Sequence, residues 1–211
     1  MFTLAVSHLD APMVIAHHLI WTAYGWWLPN DPRGSMSRTI ASDVIAELGQ
    51  LHYGRKRVQP STRTLREFFD RAKDKLKFER VEFSPHDVKF IANAIGETIR
   101  SRVYTCYACA IMSDHVHLVI RKHRDTAEKM IGHFQEGSRL KLLDANVREP
   151  NHPVWGGPGW KVFLDSPDDI RRTIPYVQEN PIKIRRSKQV WDFVKDYDGW
   201  PFHAGSRMRM R

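Results

Sequence analysis

The sequence predicts an α+β fold with an antiparallel sheet. Short runs rich in β-branched and aromatic residues, which are typical of strands, alternate with longer stretches whose apolar residues recur with a helical period. After a first strand, a helix, a strand, a tight turn and a second strand follow one another between residues 85 and 120. This order is that of half a ferredoxin-like sandwich, in which the helices lie on one face of the sheet.

The length and charge of the chain limit its possible domain organisation and partners. Its 211 residues fit a single domain at 1–205, with an insertion at about 25–76 and a basic tail at 206–211. Lys and Arg number 33 against 24 Asp and Glu, for a net charge of +9, and the excess lies in the part after residue 50. A basic surface of this kind favours a polyanionic partner, most commonly nucleic acid, over a surface that is merely solvated.

The sequence gives no sign of a membrane segment or a signal peptide. It has no run of about twenty apolar residues, and its start lacks a basic n-region. Cys106 and Cys109 lie three residues apart in a predicted strand, without a second pair to complete a zinc site. We expect two buried thiols on opposite faces of the sheet, in a cytoplasmic protein that has no membrane partner.

The N-terminal part begins with a predicted strand at residues 13–24. A loop rich in glycine and proline follows, and its Trp26 and Trp27 have two interpretations: they stack on unpaired bases, or they pack over the edge of the core. Short helical patterns occur at residues 40–52 and 64–76. The function of this insertion stays open.

Two serine–proline pairs predict helix starts in the C-terminal part. Ser84-Pro85 begins a helix through about residue 102, and Ser166-Pro167 begins one that runs to about residue 180. Between these helices the sequence predicts strands at 103–112, 115–120 and 161–164, and a helix at 125–145, the last of these strands following a glycine-rich loop.

Two histidines in the strand at 115–120 form the first candidate site. His115 and His117 are two residues apart, so they point to the same face, whereas Val116 points to the other. Neighbouring imidazoles can begin a divalent metal site. Chance alone predicts a His-x-His about 0.6 times in this composition, so the pair needs support. His17, His18 and His133 are expected to be structural.

The last predicted helix provides that support. Tyr176 and Asn180 are four residues apart in YVQENP, so they share a helix face. Chance predicts a Tyr-x-x-x-Asn only about 0.14 times. Together with the histidine pair, the order of the two motifs and the basic charge, the combination is specific.

Here the chain resembles a known family. His115-Val116-His117 is similar to the HUH motif (His-hydrophobic-His) of single-tyrosine nucleases. YVQENPIK resembles the Tyr-x-x-x-Asn-Pro signature of the tyrosine transposases associated with repetitive extragenic palindromes (REP), which are relatives of the smallest insertion-sequence transposases. The resemblance covers about residues 13–201 and is strongest at 85–183, whereas the insertion exceeds the compact family core.

The resemblance implies an activity and a set of roles. Tyr176 would be the nucleophile, and His115, His117 and Asn180 would hold Mg²⁺ or Mn²⁺. The reaction would be cleavage and strand transfer of single-stranded DNA near a hairpin, through a 5′-phosphotyrosine intermediate, by a monomer or a homodimer. Four basic residues after the tyrosine helix are candidate phosphate contacts, with a solvated surface as the alternative: Lys183, Arg185, Arg186 and Lys188.

Two alternatives remain open from the sequence. The first keeps the fold and drops the reaction, giving a non-catalytic protein that binds single-stranded DNA or RNA. The second is structural: the histidines are core residues and Tyr176 packs its helix on the sheet.

Overall fold

A computed structural model describes residues 13–202 as an antiparallel four-stranded sheet with six helices. The strands are β1 (Ala16–Ala23), β2 (Cys106–Ile111), β3 (His115–Arg121) and β4 (Trp155–Leu164). The helices are α1 (Asp43–Ala46), α2 (Thr62–Lys73), α3 (Pro85–Arg102), α4 (Ala127–Asp144), α5 (Pro167–Gln178) and α6 (Asn180–Lys183). The predicted α+β class and antiparallel sheet are confirmed, while the tail at 206–211 lies outside the described residues.

The two inner strands of the sheet are β3 and β1, since the strand order is β2-β3-β1-β4. In their register Ile20 pairs with His117, and Thr22 pairs with His115. Paired residues of antiparallel strands point to the same face, and so do residues two apart in one strand. His18, on β1, therefore shares a face with the two histidines of β3.

One face of the sheet is covered by α3 and α4. Alternate residues of the inner strands, such as Trp21 and Leu118, are buried there against Ile91 of α3 and Phe134 of α4. The rings of Trp21 and Phe134 are stacked, with their centroids 5.9 Å apart. This layer is the larger core of the protein.

The opposite face is covered in part by α5, which corrects the expectation that the helices lie on one face. Ile170 and Val177 of α5 are fully buried against Ala16, Ala108 and Val119 of the sheet. The inner strands carry apolar side chains on both faces, so a helix must cover each face to shield these side chains from water. The tyrosine helix consequently lies on the histidine face.

The helix starts at Ser84 and Ser166 are confirmed. Each serine accepts a hydrogen bond from the backbone N–H three residues on, at Asp87 or Asp169. The carboxylate of that aspartate accepts from the backbone N–H of the serine in return, which completes a capping box.

The fourth strand is longer than the sequence predicts. It begins at Trp155 instead of residue 161, because the glycine-rich segment before it pairs with β1 across an irregularity between Ile20 and Thr22. Gly159 has a φ of +78°, and a Cβ there would lie 2.8 Å from the carbonyl oxygen of Ile20. Glycine therefore lets the segment approach β1 closely.

The insertion has a small core of its own. Leu48, Phe68 and Ala72 are buried together, with Leu28 and Phe69 packed against them. Short hydrogen-bonded helices thus occur where the helical patterns were predicted, at α1 and α2.

Both cysteines are buried and free, as expected. Burial raises the pKa of Cys106 to about 12. The two thiols share one core instead of facing opposite sides, since the register shifts between Cys106 and Ala108 and breaks the alternation. Between residues 13 and 202, no helix is long and apolar enough to cross a membrane.

Candidate active site

The histidine pair lies side by side on one face of β3, as predicted. The ring centroids of His115 and His117 are 4.8 Å apart. His117 is 6 % exposed, whereas His115 is only half-buried. One nitrogen of each ring takes part in a hydrogen bond, so the other nitrogen is the one available to bind a ligand.

Asp114 holds the ring of His115. The Nδ1 atom of His115 donates to Oδ1 of Asp114 at 2.6 Å. Burial alone would raise the pKa of this carboxyl, but the hydrogen bond and the charges of His115 and Arg33 hold it below its ordinary value. Asp114 lies in the predicted turn. Its hydrogen bond to His115 was not expected from the sequence. The remaining nitrogen of His115 is Nε2.

His18 holds the ring of His117. Its Nε2 atom lies 2.9 Å from Nδ1 of His117, and the two rings are stacked with centroids 5.1 Å apart. Burial lowers the pKa of His18 to about 4, and burial followed by nearby positive charges lowers the pKa of His117 well below 6.5. Both rings are therefore neutral near pH 7, and they share one proton across this contact.

His18 belongs to the site although it was expected to be structural. Its neighbour His17 points to the opposite face and contacts Phe163. The alternation of side chains along β1, together with the pairing of β1 and β3, is the signal that distinguishes the two.

Tyr176 faces the histidines from α5. Its ring centroid lies 6.2 Å from that of His117 and 6.0 Å from that of His18, nearly perpendicular to the first. The side chain is 46 % exposed, so the ring is accessible from solvent. The predicted juxtaposition of Tyr176 with the histidine pair is present in the structure.

Asn180 lines the same cavity, but from a separate turn. Helix α5 ends at Gln178, and Asn180 is the first residue of α6, so the single helix face expected from the sequence is interrupted. The Nδ2 atom of Asn180 is buried and has no hydrogen-bond partner among the described residues. An amide whose nitrogen and oxygen exchange places would present its oxygen at this point.

The four basic candidates differ in their relation to the site. Lys183 Nζ lies 4.7 Å from the centroid of the Tyr176 ring, so its charge is beside the phenol. Arg185, Arg186 and Lys188 are exposed in the segment that follows α6, and none of them lines the cavity.

The two tryptophans of the insertion also differ. Trp26 packs over the edge of the larger core, and its Nε1 donates to the carbonyl oxygen of Val81 at 2.8 Å. Trp27 lines the cavity beside His115, His117 and Tyr176. The first tryptophan thus matches the structural interpretation, and the second lies where a bound strand can reach it.

The cavity has a volume of about 270 Å³ and combines groups from distant parts of the chain. The sheet contributes Ile20, Thr22, the histidine pair and residues 156–160 of β4. The tyrosine segment contributes Tyr176 and Asn180, and the insertion contributes residues 34–37, Trp27 and Arg55.

The donor set suits a weakly held divalent cation. Two imidazoles and one amide group can provide nitrogen and oxygen ligands for Mn²⁺ or Mg²⁺, less tightly than carboxylates. Residues 13–202 hold no cluster of three or more His, Cys, Asp or Glu that could bind a metal. Asn180, whose buried Nδ2 atom has no hydrogen-bond partner within residues 13–202, lines the same cavity as the imidazoles of His115 and His117, and this arrangement fits such an ion.

Comparison with protein-family models and with curated proteins finds no match. Among solved structures, the chain is similar to a REP-associated tyrosine transposase bound to a REP hairpin, with a TM-score of 0.44, 12% identity, and coverage of 90% of this chain and 81% of that one. It is also similar to a chain provisionally assigned as a transposase from Deinococcus radiodurans R1, with a TM-score of 0.37, 10% identity, and coverage of 87% and 99%. At these values the assignment of the fold rests on the topology described above.

Acid should destabilise the metal-free protein through the buried histidines. Because the folded pKa of His18 is about 4 and that of His117 is also lowered, the unfolded chain binds more protons below pH 6.5. Stability is therefore full above that pH and falls towards pH 4, by up to about 1.4 kcal/mol per pH unit for each histidine. Urea unfolding with a chelator present measures this slope.

In the His18→Gln variant, the free energy of unfolding should depend less steeply on pH, because the contribution of one buried histidine is removed. His86→Gln, the same change at an exposed position of α3, controls for the substitution itself. An unaltered slope in the His18→Gln protein would show that this ring is not held neutral by burial.

Proposed function

We propose that the protein cleaves and rejoins single-stranded DNA at hairpin-flanked sites through a covalent bond to Tyr176, as a single-tyrosine transposase of the REP-associated kind. The observation that carries the proposal is the phenol of Tyr176 facing His115 and His117 across one cavity, with each imidazole held in place by a hydrogen bond. A protein that only binds nucleic acid needs no such arrangement.

The covalent step is a transesterification at phosphorus. The Tyr176 oxygen forms a bond to the phosphorus, and the bond from phosphorus to the 3′-oxygen of the preceding nucleotide breaks. The phenolic proton leaves to solvent, and the departing 3′-oxygen takes up a proton to become a hydroxyl. The downstream strand keeps its 5′-phosphate, now esterified to tyrosine, so the reverse reaction joins a strand without an external energy source.

A phenol is a weak nucleophile near neutral pH, because its ordinary pKa is about 10. The Lys183 ammonium lies 4.7 Å from the centre of the Tyr176 ring, so it places positive charge beside the residue that would attack the phosphate. The packing of Val177 against the sheet fixes the direction from which the tyrosine approaches.

His115, His117 and Asn180 would hold Mg²⁺ or Mn²⁺ in this proposal. When bound, such an ion polarises the phosphoryl group and stabilises the charge that develops on its oxygens. Asp114 and His18 occupy the Nδ1 atoms, which leaves the Nε2 atom of each ring as its ligand nitrogen.

Basic charge supports a single-stranded nucleic acid as the substrate. The chain has a net charge of +9, and Lys183, Arg185, Arg186 and Lys188 extend the exposed basic surface beyond the tyrosine. The hairpin comes from the motif resemblance alone. A non-catalytic DNA- or RNA-binding protein of the same fold is the second candidate, favoured by the exposed basic segment alone.

The variant Tyr176→Phe should abolish a covalent adduct with DNA. Incubation of the protein with hairpin-flanked single-stranded DNA and Mn²⁺ should give a protein band of reduced mobility on a denaturing gel. Phenylalanine keeps the ring that packs beside His117 and removes only the nucleophilic oxygen, so binding of the DNA should be nearly unchanged.

Tyr53→Phe is the matched control, since Tyr53 is 55% exposed and does not line the cavity. It should form the adduct as the parent protein does. An adduct that persists in Tyr176→Phe would exclude this nucleophile. Binding without any adduct in the parent protein would favour the non-catalytic alternative.

Substitutions of two of the three proposed ligand residues should change Mn²⁺ affinity in opposite directions. His117→Ala removes one ligand and should weaken binding roughly tenfold or more. Asn180→Asp replaces an amide with a carboxylate, the harder and charged ligand, and should tighten it. The electron paramagnetic resonance signal of free Mn²⁺ during a titration measures both without any turnover.

His86→Ala, an exposed histidine outside the cavity, should leave Mn²⁺ binding as in the parent protein. Equal affinities in His117→Ala, Asn180→Asp and the parent would mean that these residues are not the metal ligands.

A further inference from the structure

The insertion forms one wall of the active-site cavity. Six of its residues line the cavity opposite the sheet: Trp27, Gly34, Ser35, Met36, Ser37 and Arg55. The family core that the chain resembles lacks this segment, so its contribution to the site needs an explanation of its own.

The wall is built around Trp27. The guanidinium of Arg33 lies 3.8 Å from the centroid of its ring, and Asp31 binds that guanidinium through both carboxylate oxygens, at 3.0 and 2.7 Å. Asp31 is fully buried, and Arg33 does not line the cavity, so the pair supports the ring from outside it. Trp27 itself has a φ of +54°, which is uncommon for a residue other than glycine and persists only where the surroundings enforce it.

Backbone hydrogen bonds fix the rest of the wall. Ser35 donates its N–H to the carbonyl of His52 at 2.7 Å, Gly54 donates to Ser35 at 2.6 Å, and Lys56 donates to Arg33 at 3.0 Å. Gly34 has a φ of +93°, and a Cβ at this position would lie 1.8 Å from the carbonyl oxygen of Gly54. The two segments therefore meet too closely for any other residue at position 34.

The cavity between this wall and the sheet has apolar walls and a charged rim. Ile20, Pro158 and Trp160 line it from the sheet side, opposite Trp27 and Met36. Arg55 is exposed at its edge and forms no ion pair within residues 13–202. The cavity volume of about 270 Å³ is slightly below the range of about 300–1,000 Å³ that is usual for ligand pockets, and it suits one flat ring system.

We propose that this cavity binds one unpaired nucleobase of the DNA strand, stacked against Trp27, with an adjoining phosphate at Arg55. The position of that base beside the attacked phosphodiester rests on the proposed function, because the cavity also contains His117 and Tyr176. The insertion then selects a strand whose base is already unpaired next to the cleavage point.

A nucleobase is the occupant that matches the chemistry of the walls. Its faces are aromatic and stack on tryptophan whatever the sequence, and the strand on either side carries the negative charge that an unpaired arginine attracts. A duplex cannot present a single base in this way without opening a pair.

The test measures binding of single-stranded DNA in which one base at a time, around the cleavage point, is replaced by an abasic site. The Tyr176→Phe protein is used with a chelator and at fixed salt, so that no cleavage occurs. One position should prove sensitive, with affinity lowered by about 5- to 150-fold, which corresponds to about 1–3 kcal/mol of stacking.

When Trp27→Ala is introduced into the Tyr176→Phe protein, binding of intact DNA should weaken by a similar factor. The abasic site at the sensitive position should then cause no further loss of affinity. Met36→Trp, which fills the cavity from a residue that is 38% exposed, should do the same without emptying the wall. Phe202→Ala, at an aromatic that is 60% exposed and outside the cavity, is the control and should retain the sensitivity.

The proposal would be overturned if no abasic position lowered the affinity. It would also be overturned if the abasic site lowered the affinity as much in the Trp27→Ala and Met36→Trp proteins as in the protein without these changes. The outcome is independent of the covalent reaction. If one abasic position lowers the affinity but the parent protein forms no covalent adduct, the base site stands and the proposed cleavage reaction is rejected. If the adduct forms but no abasic position lowers the affinity, the cleavage reaction stands and the base site is rejected.

Discussion

The pairing of β1 with β3 at the centre of the sheet is the constraint on which the candidate site depends. It puts Ile20 opposite His117, and thereby turns His18 towards the ring of His117 and away from the larger core. A slip of one residue would point His18 into that core and bring His17 to the site. The register is held from both sides, since β1 also pairs with β4 and its alternate residues are buried on the two faces. The chemistry of the site is thus specified by the same packing that stabilises the fold.

The hydrogen bonds to the two histidines of β3 have a common consequence. Asp114 and His18 each engage an Nδ1 atom, so His115 and His117 are fixed in rotation and retain Nε2 for another partner. A carboxylate on one ring and an imidazole on the other also give the pair unequal electronic environments. Asp114 adds negative charge beside His115, whereas burial keeps His117 neutral. The arrangement is an ordered one before any ligand binds, which reduces the cost of assembling a site around a phosphodiester.

Local patterns predicted much of this structure, and long-range contacts account for what they missed. The helix starts at Ser84 and Ser166 follow from capping chemistry within a few residues, and both were correct. The strand at 155–164 was predicted too short, because its glycine-rich start belongs to the sheet only through its pairing with β1. His18 was not assigned to the site for the same reason: its partner is 99 residues away. The place of Trp27 beside the histidines depends on how the insertion folds back over the sheet, which its sequence does not encode in any local motif.

Mass spectrometry of the adduct is the most direct test of whether Tyr176 becomes covalently bound to DNA. After reaction with single-stranded DNA, trimming by nuclease and digestion with trypsin, cleavage after Arg172 and Lys183 releases the peptide 173–183, in which Tyr176 is the one tyrosine. We expect this peptide to carry a nucleotide linked through its 5′-phosphate, with fragment ions that assign the added mass to Tyr176. A nucleotide on any other peptide, or a 3′-linked one on this peptide, would contradict it.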